Sequence, residues 1–138
     1  MVICSHLSTR QFRDVKRLYL SGMWCASRRS KEWSTENECV SGWLGNKLKT
    51  NFIEEACYNL VYLEVAACRL TTLPGELARL APNLRVLNLN YNFLEDVAGL
   101  DGLTRLKKLT MIGSRLKGTK PLIRVLQGMP DVEMLDLR

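Results

Sequence analysis

One histidine, His6, and five cysteines, Cys4, Cys25, Cys39, Cys57 and Cys68, are what this chain of 138 residues offers to imidazole, thiolate or soft-metal chemistry. A catalytic dyad needs a base within hydrogen-bond reach of a nucleophile; His6 stands in a polar lead-in near the chain's start, and no serine or cysteine has a nucleophile motif around it. The cysteines are odd in number and form no C-x-x-C pair, and zinc ligation needs spaced Cys and His that the chain lacks. Gly99 and Gly102 frame a short Gly-Leu-Asp-Gly turn rather than a loop that would cradle phosphate. The expectation is a non-enzymatic chain with no metal or cofactor, and neither a disulfide framework nor an N-x-S/T sequon marks it as a secreted receptor.

The polar residue with the most telling spacing is Asn92, which closes the run Leu84-x-x-Leu87-x-Leu89-x-x-Asn92-x-Leu94 and fits the leucine-rich repeat skeleton at every position. An asparagine at the end of such a strand can bond the backbone groups that the turn leaves unpaired, and successive copies stack into a ladder. The same frame reads Leu60, Leu63, Val65, Cys68, Leu70 upstream and Leu106, Leu109, Met111, Ser114, Leu116 downstream, and Val132, Leu135, Leu137 open a further copy. Cys68 and Ser114 take the asparagine position and can do part of its work. Val15, Leu18 and Leu20 fit the frame near the start, with Met23 in the asparagine position and hence a looser first turn. A degenerate copy around Trp43, Asn46 and Leu48 brings the count to about five repeats.

These spacings imply the elements. In L-x-L the side chains of a short strand alternate, so the leucines point inward and the residues between them onto an open sheet face. The fold expected is α/β: a right-handed leucine-rich-repeat solenoid with short parallel strands on the concave face and short helices or 3₁₀ turns on the convex face. Lys49 to Asn59 and Pro121 to Met129 have helical apolar stripes, the latter with proline in the first turn. Leu94, Val97, Leu100 and Leu103 recur every third residue, which favours 3₁₀ turns. Residues 1–14 read as a lead-in and 15–138 as the repeat domain, with a charged, serine-bearing loop insertion at 22–37. The chain stops at Arg138 within a strand and without a cap, and so reads as truncated. With 46% hydrophobic residues it can bury an elongated core, and no apolar run reaches membrane-spanning length, so no membrane partner is expected and a soluble, cytoplasmic chain is.

The run Leu63-Glu64-Val65-Ala66-Ala67-Cys68-Arg69-Leu70-Thr71-Thr72-Leu73-Pro74, with Pro82-Asn83-Leu84-Arg85-Val86-Leu87-Asn88-Leu89-Asn90-Tyr91-Asn92-Phe93-Leu94 and Glu133-Met134-Leu135-Asp136-Leu137-Arg138, resembles the repeat domain of the fungal scaffolds of the septation initiation or mitotic exit network. These sit at the spindle pole body and are distantly similar to animal centriolin. The resemblance covers Trp43 to Arg138 and implies a cytoplasmic, spindle-pole scaffold with protein partners. Family members are much longer, and their disordered N-terminal part has no counterpart here.

Strand alternation brings Tyr62, Glu64, Asn88, Asn90, Tyr91, Lys108, Thr110 and Ile112 onto the concave face, where aromatic, amide and apolar groups suit a protein or peptide. Net charge is +6, and Arg105, Lys107, Lys108, Arg115, Lys117, Lys120 and Arg124 are dense in the last third. They do not interleave with aromatics as a nucleic-acid platform would, so a solvated convex face is expected instead. Alternatives are a regulator of type 1 protein phosphatase, which shares the 22-residue step from Asn92 to Ser114, and an RNA-associated spliceosomal repeat protein. Trp43 reads as core; Trp24 and Trp33 follow no frame.

Overall fold

Each L-x-L segment is too short to bury its leucines alone, and stacking supplies what one repeat lacks. The computed structural model describes residues 16–21 and 57–138. Among these, the strands β1 (Arg17–Ser21), β2 (Tyr62–Ala66), β3 (Val86–Asn88), β4 (Lys108–Thr110) and β5 (Met134–Asp136) form one parallel sheet in chain order. Register puts Leu18, Leu63, Leu87, Leu109 and Leu135 side by side. The first four are at most 2% exposed, whereas Leu135 at the sheet edge is 38% exposed. Each fully buried leucine contributes roughly 2 kcal/mol from area removed from water.

Behind this column the other repeat positions stack likewise: Leu60, Leu84 and Leu106, then Val65, Leu89 and Met111, then Leu70 and Leu94, all buried in one continuous core. The convex side closes it with short elements. A single helical turn, α1 (Leu77–Leu80), buries Leu77. The three-residue spacing predicted at Leu94 to Leu103 appears as a 3₁₀ turn at Ala98–Leu100, with Leu94, Val97, Leu100 and Leu103 all buried. The helix expected at Pro121 to Met129 is α2 (Lys120–Gln127), with proline in its first turn and Leu122 turned to the core; Met129, also buried, lies just beyond its end. The end of the Lys49 to Asn59 segment differs from expectation. Cys57 to Asn59 form a turn, in which Cys57 N–H donates to Leu80 O and Leu60 N–H to Cys57 O. Residues 49–56 of that segment, the lead-in, the 22–37 insertion, His6, Met23, Asn46 and the tryptophans lie outside the described residues. No helix among the described residues is long and apolar enough to cross a membrane.

Gly99 marks the closest approach between convex elements: a Cβ there would lie 2.8 Å from both the carbonyl carbon and oxygen of Leu73, and would also collide with the Leu73 side chain. Backbone cannot yield as a side-chain tip can, so Gly99→Ala is expected to cost about 1–3 kcal/mol by overpacking. Gly75→Ala, where nothing lies within 4 Å, is the control. Urea midpoints compare the two, and equal midpoints would contradict this packing.

Candidate functional site

Parallel pairing turns sequence spacing into columns on the concave face. Arg17, Tyr62, Val86, Lys108 and Met134 form one, and Tyr19, Glu64, Asn88, Thr110 and Asp136 the next. These are the columns that the alternation of L-x-L gives. Asn90, Tyr91 and Ile112 follow β3 and β4, held by bonds between repeats: Leu89 N–H to Thr110 O, and Tyr91 N–H to Ile112 O at 2.6 Å.

At the β1–β2 end the face is aromatic. The Tyr19 and Tyr62 rings lie 5.0 Å apart, and the Arg17 guanidinium sits 5.1 Å over Tyr62. Tyr62 Oη donates to Glu64 Oε2 at 2.7 Å. Burial, and then the hydrogen bond to the negatively charged Glu64 carboxylate, push the Tyr62 phenol up to about 12. The folded value therefore exceeds the unfolded one. The stability this group contributes is present below the ordinary phenol range and is lost as pH rises through about 12. The difference between absorbance titrations of the wild type and Tyr62→Phe should place the Tyr62 phenol above the ordinary phenol range, and Glu64→Gln should lower it. A difference curve centred on the ordinary phenol value would contradict the contact.

The middle of the face is an amide lattice. Asn88 Oδ1 accepts the Asn90 N–H at 3.1 Å and the Thr110 hydroxyl at 3.2 Å, and Asn90 Oδ1 accepts the Ile112 N–H at 3.0 Å. Thr110 is buried, while Asn88, Asn90, Ile112 and Lys108 are half-buried. On β5 Asp136 takes two side-chain bonds from Arg138, whose guanidinium holds that carboxyl below the usual carboxylate range.

The turn beneath this face depends on Asn92, which is fully buried. Its Oδ1 accepts the N–H groups of Cys68 and Leu70 at 3.0 and 3.1 Å; its Nδ2 donates to Val65 O and Leu89 O at 2.6 and 2.9 Å. It thus satisfies its own turn and that of the preceding repeat. At the equivalent position of the preceding repeat, Cys68 Sγ donates to Ala66 O at 3.3 Å within the same turn. Ser114 contributes its N–H to Met111 O, with no side-chain bond among the described residues.

Just before these three positions stand Ala67, Tyr91 and Gly113, all left-handed, with φ of 54°, 59° and 75°. Each donates its N–H to the following repeat, at Asn90 O, Ile112 O and Arg138 O. Sequence reasoning missed this column, although Gly113 signals it, since glycine takes positive φ without a Cβ clash. It missed the cation partners too. Lys117 pairs with Glu95 and Lys107 with Glu133, Arg105 donates to Asn83 Oδ1, and Arg115 lies 4.0 Å over Phe93. Most of the basic cluster is therefore tied to the neighbouring repeat through exposed contacts that solvent screens.

Residues 58–116 match the family model described as Leucine rich repeat. Over 77 residues the chain is 36% identical to the Septation initiation network scaffold protein cdc11 of Schizosaccharomyces pombe, a match that covers 56% of this chain and 7% of that protein. The family match falls on the residues that build β2, β3 and β4 and the turns between them, and the parallel register extends the same unit to β5. The fold of this chain is a leucine-rich-repeat solenoid, as its parallel sheet and the match of residues 58–116 to that family's model both indicate.

Proposed function

We propose that this solenoid is the protein-docking segment of a septation-network scaffold at the spindle pole body, acting by contact and not by catalysis. The observation that carries this reading is the column register. It holds Tyr62, Glu64, Asn88, Asn90, Tyr91, Lys108, Thr110 and Ile112 on or beside one continuous concave face, in an arrangement fixed by backbone pairing and amide bonds. A surface prepared in this way binds with little ordering cost, which favours a protein or peptide partner. The likeness to cdc11 supports the scaffold role, and the fraction of that protein it covers confines the proposal to one segment of such a scaffold. The RNA reading loses ground because Arg105, Lys107, Arg115 and Lys117 already have partners.

Affinity purification from mitotic fungal cells tests the proposal, with the wild-type chain beside a Tyr91→Asn, Lys108→Glu variant. Spindle-pole or septation-network proteins captured by the first and lost from the second are expected. Phosphatase catalytic subunits or RNA-bound proteins in their place, or equal capture by both chains, would overturn it.

A further inference from the structure

The concave surface of β3 and β4 is biased towards hydrogen-bond donors, and the bias follows from how its asparagines are held. Asn90 Oδ1 accepts the Ile112 N–H, and Asn88 Oδ1 accepts the Asn90 N–H and the Thr110 hydroxyl. A backbone N–H only donates, so these bonds fix which edge of each amide faces the protein. The Nδ2 groups of Asn88 and Asn90 keep their donors, which meet no acceptor among the described residues. Lys108, one column away on the same face, is half-buried and forms no ion pair among the described residues. The two carboxylates bordering this patch are occupied, Asp136 by Arg138 and Glu64 by the Tyr62 hydroxyl.

Tyr91 adds an independent observation. It is 63% exposed at φ 59°, a conformation that a bulky side chain adopts at a cost. The equivalent positions of the neighbouring repeats hold Ala67 and Gly113, and the Tyr91 ring lies across the latter. A large aromatic held in a strained turn at the rim of a donor-rich face fits a contact role better than a packing one.

We propose that Asn88, Asn90, Tyr91 and Lys108 form a subsite for a carboxylate side chain on an extended, acidic segment of a partner protein. The two amide NH₂ groups and the Lys108 ammonium donate to the carboxylate oxygens, and the Tyr91 ring covers the methylenes behind them. A dianionic phosphate or a polyanion fits less well. Arg138 is already paired with Asp136, so Lys108 is the one cation of the patch without an ion pair among the described residues, a match for one negative charge. This inference rests on the docking reading above and names the chemistry of its partner.

The test is fluorescence anisotropy of the full chain with three fluorescein-labelled peptides: alternating glutamate and serine, the same with glutamine for glutamate, and the glutamine peptide with phosphoserine. The glutamate peptide is expected to bind at least about tenfold more tightly than the glutamine one, and Lys108→Met should erase that difference. Tyr91→Asn should weaken the glutamate peptide about tenfold while its thermal midpoint stays or rises, because asparagine accepts positive φ more readily. Arg124→Met, on α2, should change nothing. Equal binding of glutamate and glutamine peptides, tighter binding of the phosphoserine peptide, an inert Lys108→Met, or no binding at all would each overturn the proposal. A partner captured through the concave face without any preference for glutamate would remove the carboxylate subsite and leave the docking reading intact.

Discussion

Replacing Leu109 with alanine is expected to lower stability by about 2–5 kcal/mol, the cost of a large-to-small change in a core that cannot collapse around the gap. Leu109 is fully buried in β4, with Leu87 beside it on one strand and Leu135 on the other. In a stacked fold the core has no second layer to close over a cavity, so the loss extends to both neighbours. Leu135→Ala removes the same atoms from the same repeat position where the side chain is 38% exposed, and should cost less than about 1 kcal/mol. Asn88→Ala, on the opposite face of β3, removes the acceptor of two bonds and should cost about 1 kcal/mol. Urea denaturation with constant m-values orders the three variants. If Asn88→Ala proved more damaging than Leu109→Ala, the inward and outward faces would have to be exchanged.

Asn92→Ala is the second large loss, at about 3–5 kcal/mol from four buried bonds and the groups they leave unsatisfied. Asn92→Asp separates the two halves of the side chain's work. It keeps an acceptor for the Cys68 and Leu70 N–H groups but sets an oxygen where Nδ2 now meets Val65 O at 2.6 Å and Leu89 O at 2.9 Å. As a carboxylate it would face two carbonyls in a dry site, so its folded pKa would rise above the unfolded one. Its stability should therefore recover as pH falls and the carboxyl regains a proton able to donate, and should be lost as pH rises. A thermal midpoint for Asn92→Asp that matched wild type at neutral pH would show that Nδ2 contributes nothing.

The parts of the fold legible in the sequence were those with a strict period. The inward column Leu63, Leu87, Leu109 and the outward pairs Tyr62 with Val86 and Asn88 with Thr110 follow from L-x-L spacing, because a parallel ladder leaves no freedom once strands are aligned. The three-residue spacing at Val97 to Leu103 and the proline before Leu122 marked convex elements for the same reason. Elements shorter than a period were not legible. At α1, four residues after a Pro-Gly-Glu stretch, helix forms because Leu77 docks into the core and not because the segment carries a helical stripe. The end of the Lys49 to Asn59 segment carried such a stripe, yet Cys57 to Asn59 turn to pair with the Leu80 and Asn83 region. On the concave face, spacing placed Asn88 and Asn90 side by side, but only the bonds to Asn90 and Ile112 N–H show which edge of each amide is left outward. The ion pairs joining Glu95 to Lys117 and Lys107 to Glu133 were readable in principle as opposite charges at matching repeat positions.

The left-handed column has a consequence for synthesis. Ala67, Tyr91 and Gly113 each hand their N–H forward to a residue 21 to 25 positions later, and the Cys68 turn waits for the side chain of Asn92. A ribosome delivers these partners in the wrong order for immediate closure: every newly emerged turn must remain open until the next repeat has cleared the exit tunnel. Folding of the nascent chain therefore lags its own translation by one repeat, and the exposed apolar surface of the newest repeat is what a chaperone near the tunnel would meet.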